Sequence, residues 1–211
     1  MVPVRRVKIA AVPVPARDLD GMRRSHAGVL ADLAGLADDV ARRPSRLPGW
    51  TVGHVVTHLA RNADSVTRRL AGAARGEVVD QYAGGAAGRA GEIEEGSDRP
   101  ASVLVEDLRV AQERLEAAAD TMPDGAWDGL TRGVDGDERP AWRLPFGRWR
   151  EVEVHRVDLG LGHEPADWPD ELVARWLPDV LATLPDRTDP PSLLAWALGR
   201  TPTAPALGPW D

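Results

Sequence analysis

The stretch "REVEVHRVDLG", residues 150–160, places ionisable groups in the middle of an apolar helical face. At about 100° of rotation per residue, Glu151, His155 and Asp158 share one side of a helix that valine and leucine flank. A carboxylate buried without a partner costs several kcal/mol or takes up a proton. The stretch therefore requires a partner that compensates this cost.

A Glu-x-x-x-His pair, one helical turn apart, can hold one cation with both side chains. The spacing alone is a weak indicator, because structural Glu–His pairs far outnumber functional sites. The position of Glu151 and His155 inside the apolar arc favours a metal site. Glu153 and Arg156 are expected on the opposite, exposed side of this helix, which spans about residues 146–161.

The composition restricts the possible partners of the protein. Its 211 residues are enough for one large domain, or one domain with an appendage, and its formal net charge of -7 argues against binding nucleic acid through phosphates. No stretch approaches the roughly 20 apolar residues of a membrane span, and no secretory h-region follows the N-terminus. We therefore expect a cytoplasmic protein that binds neither nucleic acid nor membranes.

The chain contains no cysteine, so thiol chemistry would need a thiol brought in from outside. Of its 26 basic residues, 25 are arginine, which indicates the GC-rich coding of a high-GC bacterium.

Apolar residues at intervals of three and four predict the other helices of the chain. They fall at about residues 18–42, 51–70 and 102–121, and two shorter helical patterns follow Pro169. The Gly-rich residues 76–99 are expected to form a long loop with at most one short helical turn, and no strand is expected. Four helices joined by loops predict an antiparallel bundle, whose interior commonly holds metals and cofactors.

The second helix offers a third ligand. His58 and Asn62 lie at the edge of its apolar stripe, where a site inside the bundle is within reach. His54 lies far round the back, so we expect it to be partly exposed or to support a ligand from outside. Asn62 is likewise expected to support a ligand from outside the ligand set.

A cation held by two imidazoles and one carboxylate keeps coordination positions open for water or substrate, as catalytic zinc sites do. His58, Glu151 and His155 would supply these ligands, and Asp158 would orient one of them. The same set suits non-haem iron, so the ligands alone leave the metal open. His26 and His163 fall outside this set and are expected at the surface.

Three segments carry a family resemblance: "LPGWTVGHVVTHLARNAD", "GRAGEIEEG" and "REVEVHRVDLG". Together they resemble the mycothiol-dependent maleylpyruvate isomerases and their DinB-like metal-binding relatives in actinobacteria. The resemblance implies an all-α fold, a DinB-like four-helix bundle, that binds a divalent metal, zinc in the family. Matching motifs assign the ligands to His58, Glu151 and His155, the same three residues that helical spacing selects.

The resemblance also implies a thiol cosubstrate, mycothiol, and a residue for an acidic substrate. Arg89 in "AAGRAGEI" matches the family arginine that is implicated in holding that substrate. The alternative, that Arg89 is a solvated loop residue, stays open. The family isomerases continue into a small α/β domain, whereas "PDRTDPPS", residues 185–192, leaves no room for its strands. We expect a shortened C-terminal helical appendage instead.

The expected organisation is a flexible lead over residues 1–16, the metal-binding bundle over residues 17–168 and the appendage over residues 169–211. The leading hypothesis is a metal-dependent enzyme that uses mycothiol to isomerise maleylpyruvate-like acids. One alternative is a mycothiol S-transferase that acts on electrophiles in detoxification or natural-product tailoring. Another is a bundle that binds metal without catalysis. Expected partners are mycothiol, a small acidic or electrophilic molecule and a second copy in a homodimer.

Overall fold

The computed structural model describes residues 14–208. The predicted lead over residues 1–16 lies almost entirely outside the described residues. The chain divides into two compact units, Met1–Pro165 and Ala166–Asp211. Its helices are α1 (Ala16–Asp32), α2 (Asp38–Ala41), α3 (Val52–Ala74), α4 (Gly85–Gly96), α5 (Ala101–Asp120), α6 (Leu144–Asp158), α7 (Asp170–Arg187) and α8 (Pro190–Ala197).

Four long helices form the bundle of the first unit, which confirms the predicted all-α fold. Helix α3 packs along α5, α1 packs along α6, and α3 also contacts α6 and α4. Apolar side chains of all four helices are buried between them. They include Met22, Val29, Val55, Leu59, Leu104, Leu108, Leu115 and Val152.

Helix α3 begins directly after its N-cap residue, Thr51. The Thr51 hydroxyl accepts the His54 backbone N–H at 3.3 Å, and the Thr51 backbone N–H donates to His54 Nδ1 at 3.2 Å. This reciprocal capping box satisfies two donors that a helix start otherwise leaves unpaired, and it stabilises the start by about 1 kcal/mol. It also fixes the direction in which α3 enters the bundle.

The first helix is shorter than predicted. Helix α1 ends at Asp32, and a turn precedes the four-residue α2. Gly35 in this turn has a φ of 73°, a left-handed conformation that cannot continue a right-handed helix. The apolar spacing runs on through the turn, which is why the sequence predicts one helix up to residue 42.

The prediction of a long loop over residues 76–99 is wrong, because the 12-residue helix α4 lies within it. Glycine is a poor helix former and conceals this helix in the sequence. Ile93, which is 2% exposed, is buried as α4 packs against α3.

A two-stranded antiparallel hairpin also contradicts the expectation of no strand. It pairs β1 (Leu130–Arg132) with β2 (Glu138–Pro140). Three residues per strand are too few to show an alternating pattern.

The second unit contains α7 and α8, which pack against each other, and the described residues 166–208 contain no strand. This agrees with the expected helical appendage. Across residues 14–208, every helix is too short or too polar to cross a lipid bilayer.

Candidate metal centre

The three predicted ligands meet between α3 and α6. His58 Nε2 lies 2.7 Å from Glu151 Oε1, and His155 Nε2 lies 3.7 Å from the same oxygen. The candidate ligand atoms of all three residues lie within 4.8 Å of one another. The two imidazole rings are arranged edge to face, with their centroids 4.6 Å apart.

This donor set fits a divalent cation. Ligands about 2.1 Å from a tetrahedral zinc lie roughly 3.4 Å from one another. The two distances to the Glu151 oxygen, 2.7 and 3.7 Å, fall on either side of that value. The Glu151 side chain is 32% exposed, so its carboxylate is not sealed from solvent. Two imidazole nitrogens and one carboxylate oxygen suit zinc and also iron.

The charges of the three ligands depend on one another. Burial raises the pKa of Glu151, but hydrogen bonds and charge interactions with His155 and His58 outweigh burial and hold this pKa well below its usual value. Burial lowers the pKa of His58 to about 4, so this imidazole is neutral at pH 7. An ionised carboxylate and a neutral imidazole are the forms in which these side chains bind metals.

Asp158 orients His155. Its Oδ2 lies 2.9 Å from His155 Nδ1, one turn along α6. Burial lowers the pKa of His155, but the hydrogen bonds and charges of Asp158 and Glu151 raise it to about 9. With Nδ1–H directed at Asp158, Nε2 is the nitrogen that faces Glu151 and a shared cation.

Asn62 and His54 have different surroundings. Asn62 Nδ2 donates to Glu151 Oε1 at 3.1 Å, so Asn62 contacts a candidate ligand as expected from its position on α3. His54 instead caps α3 through Thr51, and its Nε2 lies 3.3 Å from a carboxylate oxygen of Glu94. The partners of His54 are therefore outside the ligand set.

Arg89 lies in helix α4 and contacts a residue of the candidate metal centre, so it is not the solvated loop residue of the alternative. Its Nη2 lies 3.1 Å from His58 Nδ1, and its guanidinium lies 5.9 Å from the ring centroids of both Trp50 and Tyr82. Because arginine only donates, His58 Nδ1 is the acceptor here. The proton of this imidazole is then on Nε2, which donates to Glu151.

Arg148 is an inward-facing residue that our sequence reasoning missed. It is 1% exposed and donates to the Leu59 carbonyl at 2.9 Å, to Asn62 Oδ1 at 3.0 Å and to His26 Nε2 at 3.1 Å. Burial lowers its pKa to about 10. The available signal was its position three residues before Glu151, which puts both side chains on one helical face.

His26 is buried, so the expectation of a surface position is wrong. It is 2% exposed, and its Nδ1 lies 2.7 Å from a Glu116 oxygen. Since Nε2 accepts from Arg148, Nδ1 carries the proton and donates to Glu116. His26 thus connects α1 with both α5 and α6.

The expected exposure of Glu153, Arg156 and His163 is also wrong. Glu153 is 1% exposed and accepts from the Ser25 hydroxyl at 2.5 Å, while His163 Nε2 lies 3.1 Å from its other oxygen. Arg156 donates to Asp32 at 2.7 Å and to Glu153 at 3.3 Å. Glu153 and Arg156 are covered because α1 packs on the side of α6 that faces away from the candidate ligands.

Comparisons with known proteins indicate the family to which this fold belongs. A family model described as the mycothiol maleylpyruvate isomerase N-terminal domain matches residues 22–160. The crystal structure of the mycothiol-dependent maleylpyruvate isomerase is 25% identical, with a TM-score of 0.73 over 80% of this chain and 70% of that chain. A histidine-to-alanine mutant of that enzyme matches with the same values. No curated protein matches the sequence significantly.

Proposed function

Because this chain belongs to the mycothiol maleylpyruvate isomerase N-terminal domain family, we propose that it is a metal-dependent isomerase of maleylpyruvate-like acids that uses mycothiol. One observation carries this proposal. His58, Glu151 and His155 converge within 4.8 Å inside the region that matches the family, and Arg89 lies against one of them.

The three convergent residues would hold the divalent cation, and Asp158 and Asn62 would keep two of them oriented. A cation bound there would lower the pKa of a coordinated thiol, so that the thiol loses its proton. The chain contributes no thiol of its own, because it has no cysteine. A small thiol such as mycothiol must therefore enter the site as a cosubstrate.

Arg89 would hold a carboxylate of the substrate through charge-assisted hydrogen bonds. Its present contact with His58 is compatible only with an unprotonated Nδ1. An imidazole that ligates through Nε2 carries its proton on Nδ1, which would face the donors of the guanidinium. Loading of the site would thus end this contact and free Arg89, between Trp50 and Tyr82, for the substrate.

The reaction is a reversible addition. The thiolate forms a C–S bond with one carbon of the activated cis double bond, and the electron pair moves into the adjacent carbonyl as an enolate. Rotation about the resulting single bond and collapse of the enolate break the C–S bond and expel the thiolate. The product is the trans isomer, and the thiol is regenerated.

A mycothiol S-transferase is the second candidate. The described residues 166–208 supply only α7 and α8, without the α/β domain that continues the family isomerases. Without the elements of such a domain, the thiol adduct would be released more readily than it would break down to the thiol and the isomerised acid. In that case the C–S bond persists, and the product gains the mass of the thiol.

The experiment begins with metal analysis of the purified and reconstituted protein and of its His58→Ala and His155→Ala variants. We expect close to one divalent metal per chain, lost in both variants. His54→Ala is the matched control, because His54 lies one turn before His58 and contacts Glu94 instead of the ligands. This variant should keep the metal.

The loaded protein is then incubated with maleylpyruvate and mycothiol, and products are followed by NMR and mass spectrometry. Formation of the trans isomer, lost in His58→Ala, supports the isomerase. A stable thiol adduct with generic electrophiles identifies the transferase instead. A protein that binds the metal but catalyses no reaction with any thiol would be a non-catalytic metal-binding bundle. That result would refute both the isomerase and the S-transferase.

A further inference from the structure

Arg69 of α3 is a buried cation that the proposed reaction leaves without a role. The residue is 8% exposed, and no carboxylate within the described chain pairs with it. Its one hydrogen bond runs from Nε to the Ser65 carbonyl at 3.4 Å. Burial lowers its pKa to about 10. The preceding residue, Arg68, is exposed and donates to the Gln81 carbonyl.

The side chain of Arg69 runs back toward the metal centre. Side chains on a helix lean toward its N-terminus, and the Ser65 carbonyl that Nε contacts lies one turn earlier. His58, Asn62, Ser65 and Arg69 follow one another at intervals of four, three and four residues, so they share one buried face of α3. The guanidinium of Arg69 thus follows Asn62, which donates to Glu151, along this face.

The surroundings of Arg69 are rich in cations. Tyr82 and Glu151 lie within electrostatic range of Arg69, and the same two residues lie within range of Arg148. Tyr82 is 4% exposed, and the guanidinium of Arg89 lies 5.9 Å from its ring. Arg69, Arg148 and Arg89 therefore all lie near the phenol of Tyr82, and the first two also lie near Glu151.

The arginines of this cluster differ in how far their donors are used. In Arg148, Nε and Nη1 donate hydrogen bonds to the buried partners described above. Neither terminal nitrogen of Arg69 has a hydrogen-bond partner in residues 14–208, and neither is among the fully enclosed nitrogens without a partner. Both nitrogens of Arg69 thus reach accessible space. They offer two parallel donors, the arrangement that matches a carboxylate.

We propose that Arg69 binds a second carboxylate of a dianionic substrate, while Arg89 binds the first. This inference rests on the proposed function, since the metal centre and Arg89 define where the substrate lies. Arg69 then decides between dianionic and monoanionic substrates: a monoanion leaves its guanidinium unpaired, whereas a dianion supplies the missing negative charge.

The test uses calorimetric titration of the metal-loaded protein without thiol. The probes are maleate, with two carboxylates, and isocrotonate, in which a methyl group replaces one of them. We expect the wild type to prefer maleate. Arg69→Met should weaken maleate binding on the order of ten- to a hundredfold, the effect of losing a hydrogen bond between charged groups, and leave isocrotonate binding unchanged.

Arg68→Met is the matched control, because it removes the same charge from the neighbouring, exposed position and should not change the preference. Arg69→Lys keeps the positive charge and should therefore retain part of the preference for maleate. If Arg69→Met does not fold, Arg69→Gln is measured instead. Circular dichroism and metal content verify that each variant retains the fold and the centre.

Three results would overturn the role of Arg69: a wild type that binds maleate no better than isocrotonate, an Arg69→Met variant with the wild-type preference, or an equal loss in Arg68→Met. The proposed function fails separately. A preference that depends on Arg69 in a protein without thiol-dependent turnover would refute the isomerase and keep the anion site. Thiol-dependent turnover, together with an Arg69→Met variant that still prefers maleate as the wild type does, would keep the isomerase and refute the anion site.

Discussion

Replacing His26 by glutamine should remove a specific acid sensitivity of the fold. His26 is 2% exposed, donates from Nδ1 to Glu116 and accepts the Arg148 N–H at Nε2. Burial lowers its pKa from 6.5 to about 4. The unfolded chain therefore takes up a proton at His26 as the pH falls through 6.5, whereas the folded chain does so only near pH 4.

The sign and size of the effect follow from these two values. A histidine whose pKa is lower in the folded state contributes stability that is fully present above pH 6.5 and is lost as the pH falls toward 4. With about 1.4 kcal/mol per pKa unit, acidification from roughly pH 7.5 to 4.5 should remove about 2.5 kcal/mol of unfolding free energy through His26 alone.

Urea unfolding of the wild type and His26→Gln in EDTA, across this pH range, measures the effect without metal release. Glutamine can donate to Glu116 and accept from Arg148, so it keeps both partners without titrating. At neutral pH the variant should be less stable by about 1 kcal/mol, because its geometry is less exact. Near pH 4.5 the order should reverse. Parallel curves for the two proteins would refute the assignment of His26 as a neutral buried histidine.

Three further substitutions test the centre and the bundle. Asp158→Asn removes the carboxylate acceptor of His155 Nδ1–H and should weaken metal binding on the order of ten- to a hundredfold; an unchanged constant in competition with a chromophoric chelator would contradict the orienting role. Gly21→Ala would push a methyl group into the Trp149 ring and should cost about 1–3 kcal/mol. Gly91→Ala in α4 is the control, because the added methyl group has open space around it and should stabilise the fold by up to about 1 kcal/mol. Thermal midpoints that shift in the same direction in the Gly21→Ala and Gly91→Ala variants would contradict the packing of Gly21 against Trp149.

Helix α6 shows where sequence reasoning succeeds and where it stops. Its periodicity predicted that Glu151 and His155 share the inward face, and the structure places them beside His58. The same helical wheel assigned Glu153 to solvent, because it assumes that a helix buries one face only. The packing of α1 on the other side of α6 covers Glu153, and a single helix contains no information about which neighbours surround it.

The arginines show a second limit. Arg89 was selected through its motif, but the glycines around it concealed the helix that carries it to His58. Arg69 and Arg148 belong to no recognisable motif. Because arginine is rarely buried, sequence alone predicts a surface position for both. Only the packing of α3 within the bundle and against α6 shows that both side chains are buried.

The amide of Asn62 separates a buried cation from the carboxylate that the cation would otherwise pair with. Its oxygen accepts from Arg148 and its nitrogen donates to Glu151, so its orientation is fixed from both sides. A direct ion pair between these two charges would compete with any incoming metal for the same oxygens. With Asn62 as a spacer, Arg148 stabilises the negative charge of Glu151 from a distance, and the carboxylate stays available to a cation from solution.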